Sequence, residues 1–199
     1  MPDMTNMFLL IVLLICIANN LHVTNGQGNT KKDCQAGANA DSCLMKLLMI
    51  GDPDYKFPEN MASMDKQCRT YKNQEKCIKD YAAKCLATFP KQVTNVLAYG
   101  ASKTNKAYCS TKRRKDSFIA IGKCGNKLKF LVDKCMRQFI DSLQGIENYQ
   151  DAKMKIPISC CNYYKLKECI LGHIERQGPP LCTETTSREV ESLVDGYAN

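Results

Sequence analysis

The chain has 199 residues, 13 cysteines, no tryptophan, and 28 Lys/Arg against 20 Asp/Glu, giving a net charge of +8. That length suits one domain or two small ones. There is no Cys-x-x-Cys and, after the leader described next, a single histidine, so zinc is disfavoured as the use of the cysteines.

Residues 1–26 read as a secretory signal. Met7 to Ala18 is an apolar run too short to span a bilayer comfortably, and Thr24 and Gly26 offer small residues for cleavage before Gln27. The segment before the run carries Asp3 and no Lys or Arg. An uncleaved anchor is the alternative, and length argues against it. Removing the leader takes away Asp3 and Cys16, raising the charge from +8 to +9 and leaving 12 cysteines. An even number in a secreted chain is what a fully paired framework requires, so the expectation is six disulfides. Twelve cysteines allow roughly ten thousand connectivities, and spacing does not choose among them. No later apolar run is long enough to cross a membrane, and no Asn-x-Ser/Thr sequon is present.

Gln27 to Lys32 is a polar arm. A first helix is expected from Asp33, bracketed by Cys34 and Cys43, with Leu44, Leu47, Leu48 and Ile50 as its apolar end and Gly51-Asp52-Pro53 as its stop. After a loop with Pro58, a second helix begins near Asn60 or Ser63 and carries Met64 and Cys68, with a break placed at Arg69 to Asn73. Cys77, Tyr81 and Cys85 then recur at about helical spacing. Thr88 and Pro90 open the next helix, whose face is Val93, Val96, Leu97 and Ala101 and which runs to Cys109.

Ser110 to Lys115 is expected to be a loop and holds the most basic run of the chain, Lys112, Arg113, Arg114 and Lys115. A short apolar piece, Phe118 to Ile121, ends at Gly122 and Cys124. Asn126 to Leu143 is the clearest amphipathic helix, with Leu128, Leu131, Val132, Cys135, Met136, Phe139, Ile140 and Leu143 on one face. Pro157 opens a further helix with Cys160, Cys161, Tyr164, Cys169, Ile170 and Ile174, closed by Gly178-Pro179-Pro180. Cys182 leads into a last helix, where Thr186 and Glu189 have capping-box spacing. Strand patterns are absent. The expected fold is one all-α domain over residues 27–199, a disulfide-stapled bundle of about six to eight helices with no significant sheet.

Catalytic patterns are weak. Cys160-Cys161 invites comparison with the site helix of secreted phospholipase A2, but Tyr164 stands where that chemistry needs a histidine base, and the calcium loop is missing. His173 would have to serve any triad alone. An enzyme is therefore not expected, nor is a cofactor. The Lys112 to Lys115 run reads first as a solvated stretch and second as an anion-binding patch. Nucleic acid is disfavoured, because aromatics do not interleave with the basic residues. Met45, Met49, Met61, Met64, Met136 and Met154 read first as core filler and second as the lining of an adaptable apolar pocket.

The cysteine order carries a resemblance. Cys68, Cys77, Cys85 and Cys109, then Cys124, Cys135, Cys160-Cys161, Cys169 and Cys182, together with Met-Asp-Lys-Gln-Cys at 64–68 and Lys-Cys-Ile-Lys-Asp-Tyr at 76–81, are similar to the arthropod cysteine-rich haemolymph glycoprotein family. The resemblance covers Cys34 to Cys182 and implies a secreted, helical, disulfide-rich protein with no catalytic residues to carry over. The chain departs from it in lacking sequons and a further cysteine near its C-terminus. Two functional expectations follow from the whole reading. One is a secreted, non-enzymatic carrier of a small apolar molecule in body fluid. The other is a basic secreted effector binding an anionic glycan or an extracellular protein.

Overall fold

The computed structural model describes Cys34 and residues 37–198. The signal segment, the arm Gln27 to Lys32 and the expected helix start at Asp33 lie outside the described residues. Among the described residues there are six helices and no strand: α1 Gly37–Leu48, α2 Met61–Cys85, α3 Thr88–Tyr108, α4 Lys112–Glu147, α5 Ala152–Gln177 and α6 Glu184–Asp195.

Local chemistry explains most of the boundaries. The end of α1 turns through Met49 and Gly51, at φ 64° and 95°, the left-handed region that glycine enters without a Cβ clash. Asn60 caps α2 in a reciprocal box with Ser63: its side chain accepts from the Ser63 amide, while the Ser63 hydroxyl accepts from the Asn60 amide. No break follows at residues 69–73. Tyr71 carries the buried stripe of Met64, Gln67, Ile78 and Tyr81 straight through that stretch. Asp151 caps α5, and Gly178 at φ 58° closes it.

Three expected boundaries shift. Pro157 lies inside α5 rather than at its start, because Asp151 has already begun the helix. Thr183, three residues before Thr186, caps α6 by accepting from the Thr186 amide at 3.2 Å. The largest change is α4. The expected loop over Lys112 to Lys115, the apolar piece and the amphipathic helix are one helix of 36 residues, about 54 Å long. Gly122 and Gly125 do not interrupt it. They are small because the loop before α2 crosses there: a Cβ on Gly122 would sit 2.0 Å from the Pro58 carbonyl oxygen, and one on Gly125 would sit 3.1 Å from the Phe57 ring. Asn126 fixes the same crossing, accepting from the Phe57 amide at 2.8 Å and donating to its carbonyl at 3.0 Å.

The helices run as antiparallel neighbours. Bonded or touching pairs across α4 and α5 (Cys135–Cys169, Phe139–Tyr163) have residue numbers that sum to nearly the same value, the mark of a hairpin. α1 pairs with α2 and α2 with α3 in the same way. One apolar core, from Ala40 to Tyr197, joins all six helices. Between α1, α2 and α3 a buried amide is satisfied inside it. Asn105 donates to the carbonyls of Leu47 and Ala101 and accepts from Gln67. Tyr197, fully buried, donates to the Leu48 carbonyl at 2.7 Å, so the end of the chain closes against the end of α1.

A pH effect arises in α1. Burial pushes the Asp41 carboxyl up to about 7. The folded chain therefore holds a proton at Asp41 that the unfolded chain has released above about pH 4, and stability falls as pH rises from about 4 to 7. Asp41→Asn is expected to flatten that part of the melting-temperature profile. An unchanged slope would mean that the carboxyl is solvated and titrates normally.

Candidate functional site

Ten of the twelve expected framework cysteines pair, as Cys34–Cys85, Cys43–Cys77, Cys68–Cys109, Cys124–Cys182 and Cys135–Cys169, with Cα separations of 5.2–6.2 Å. This corrects the expectation of six disulfides. Cys160 and Cys161 are free and exposed. They are neighbours on a helix, where side chains diverge by about 100° and Cα atoms stand about 3.8 Å apart, closer than the roughly 4.4–6.8 Å of a relaxed disulfide. Nor do they reach different partner helices, because every other described cysteine already has its own partner. No bridge among the described residues joins the stretch 34–109 to the stretch 124–182.

The basic run opens α4. Thr111 caps it by accepting from the Arg114 amide, which places four cations at the positive end of the helix dipole, an unfavourable position. Carboxylates offset part of this: Lys112 pairs with Asp116 at 2.8 Å and Lys115 with Asp65 at 2.7 Å. Only Arg113 and Arg114, both exposed, present the run to solvent without a carboxylate bonded to them in this way.

His173 lies beside the Cys135–Cys169 bridge, and the three side chains form the one grouping of metal-ligand type among the described residues. The two sulfurs are bonded to each other and are not thiolates, so the group offers a single nitrogen ligand. Burial, then the nearby Arg176 and Lys134, hold the His173 ring below its ordinary pKa. Its Nδ1 lies 2.9 Å from an Arg176 guanidinium nitrogen.

A cleft of about 370 Å³ opens between α3 and α5, within the range of small-molecule sites. Val93, Val96 and Leu97 form one wall, and Ile156, Cys160 and Tyr164 the other, with Phe139 of α4 between them. The apolar lining has a polar end, where Lys167 lies 2.9 Å from Glu191 and 2.8 Å from Asp195. The Asp195 and Glu191 carboxylates push the Lys167 ammonium above its usual pKa and hold it charged. At the other end Lys155 sits over the Phe89 ring at 5.6 Å, a cation–π contact that bridges the two walls. The Phe139 and Tyr163 rings meet edge to face at 5.7 Å, and the Tyr163 hydroxyl donates to the Val194 carbonyl at 2.5 Å, which steadies the floor.

The cleft was only half visible in the sequence. Val93, Val96 and Leu97 stood out as a helix face and Cys160 and Tyr164 as a helix stripe. Nothing in the spacing said that the two would face each other across a gap. The methionines do not line it. Met45, Met49, Met64 and Met136 are buried in the core, and neither Met61 nor Met154 is part of the wall. No protein-family model, curated protein or solved structure matches the chain.

Proposed function

We propose that this is a secreted, non-enzymatic binding protein that carries a small apolar molecule in the cleft between α3 and α5. The cleft carries this reading: it has the volume of a small-molecule site, mostly apolar walls, and a charged cluster where Lys167 meets Glu191 and Asp195. Five disulfides, and the lack of any described helix long and apolar enough to cross a membrane, accord with an extracellular setting. The polar end sharpens the choice of cargo. Two carboxylates flank one ammonium, so the local charge is negative although the whole chain is basic. A neutral or amine-bearing end fits there better than a carboxylate. Of the two sequence expectations, the effector reading draws less support, because half of the basic run is already ion-paired.

The chain has no tryptophan, so Tyr164→Trp places a sole reporter on the cleft wall. Delipidated protein titrated with the neutral probe N-phenyl-1-naphthylamine is expected to show saturable energy transfer from that residue at a ratio of one to one. The anionic probe 8-anilinonaphthalene-1-sulfonate should bind at least tenfold more weakly. A second change, Val93→Trp, puts an indole ring into the cleft and should weaken uptake at least tenfold. No saturable signal from either probe would sink the carrier reading.

A further inference from the structure

We propose that Cys160 joins two copies of this chain through an intermolecular disulfide, with α5 of one copy laid antiparallel on α5 of the other. The starting point is the cysteine inventory. Every other described cysteine except its neighbour Cys161 is bonded within the chain, and the two that remain are exposed on one helix. They are badly placed to bond to each other, as shown above. In a setting that oxidises ten cysteines, an exposed thiol with no partner among the described residues takes one from outside.

The surface around Cys160 favours a second copy as that partner. Ile156, Cys160 and Tyr164 follow each other at intervals of four on the outer face of α5, and Ile156 and Tyr164 are 42% and 58% exposed. Val96 and Tyr99, across the cleft mouth on α3, are 54% and 59% exposed and widen the apolar area. A two-fold axis through Cys160 brings each residue of the stripe to a useful mate. Cys160 meets its own copy, and Ile156, four residues before it, meets Tyr164, four residues after it, in both directions. Such self-complementarity is what an isologous contact requires. An axis through Cys161 instead sets Tyr164 against Ile158, which is only part-exposed, and Ile156 against Leu166, which is buried in the core and out of reach. Lys155 and Lys165 would approach each other across the axis, where the Lys155 ammonium is held back over the Phe89 ring and the long stem of Lys165 lets its own turn out to water.

The bond forms by exchange with a low-molecular-weight disulfide such as oxidised glutathione. The Cys160 thiolate attacks one sulfur of that disulfide and expels a thiolate, which takes up a proton. The Cys160 thiolate of the second copy then attacks the mixed disulfide at the protein sulfur and expels the other thiolate. Two protein thiols lose two electrons and two protons, and the small disulfide is reduced to two thiols.

The protein secreted from a eukaryotic cell, quenched with N-ethylmaleimide at harvest, tests this directly. Denaturing mass spectrometry without reductant should give a covalent dimer of two chains, each with one maleimide at Cys161, falling to the single chain on reduction, with a cross-linked peptide mapped to Cys160. Cys160→Ser should lose the dimer entirely, while Cys161→Ser should keep it. Ile156→Glu should slow its formation at least tenfold. A monomer with both thiols alkylated or capped by glutathione, a bond between Cys160 and Cys161, or a dimer that survives Cys160→Ser would overturn the proposal. The dimer would cover the cleft mouth, whose wall Ile156, Cys160 and Tyr164 form, so the naphthylamine titration is run on monomeric Cys160→Ser protein, and this inference and the carrier reading then fail separately.

Discussion

Asp133→Ala is expected to destabilise the protein by about 3–5 kcal/mol, the usual cost of leaving a buried charge without its partner. Asp133 is almost completely buried, and its carboxylate bonds to Lys129 one turn earlier on α4. It also accepts from the Gly51 amide at 2.7 Å, while Lys129 donates to the Asp52 carbonyl at 2.6 Å. The pair thus clamps the left-handed turn after α1 onto the middle of α4. Removing the carboxylate strands the ammonium of a side chain that is only 12% exposed and unties the turn as well. The double change Lys129→Met with Asp133→Leu should cost less than Asp133→Ala alone, because it removes both charges and leaves only the turn's polar groups unsatisfied. Urea unfolding without reductant measures both. A loss below about 1 kcal/mol for Asp133→Ala would show that water already reaches the pair.

The second large effect is expected from Cys124→Ala combined with Cys182→Ala. This bridge spans 58 residues, the longest separation of the five, and both cysteines are buried. In the chain-entropy account a loop of that size contributes roughly 4 kcal/mol. For a domain of this length that corresponds to a fall in melting temperature of about 8–16 °C. Calorimetry at fixed pH is the measurement. Cys161→Ser, on the exposed face of α5, should stay within about 0.5 kcal/mol of the parent. If the double change and Cys161→Ser proved equivalent, the pairing of Cys124 with Cys182 would be wrong.

The helices were legible where periodicity and capping chemistry agree. Asn60, Gly51 and Gly178 mark ends by their own local physics, and the stripe from Leu128 to Phe139 buries as its spacing predicts. Reading failed where a residue's role is set from far away. Gly122 and Gly125 look like breaks in a sequence, but their small size answers to Phe57 and Pro58, more than sixty residues earlier. Lys112 to Lys115 look like a loop because charge favours solvent, yet Thr111 starts a helix there and Asp65 of α2 comes to meet Lys115. The parity of the cysteines was a sound rule applied to one chain, and it does not reveal a pair held out of the framework. For the cleft, the residues of each wall could be read, but a gap between two helices belongs to neither helix.

The confinement of the bridges to residues 34–109 and 124–182 bears on how the protein is made. On the proposed secretory route, all six cysteines of the first stretch can find their mates before Cys124 emerges. Sorting twelve thiols in two batches of six, with two left free in the second, cuts the possible arrangements from roughly sixty thousand to about seven hundred. Order of synthesis thus does part of the work of an isomerase. Refolding the full-length reduced chain from denaturant discards that order, and should give more scrambled product than folding during secretion.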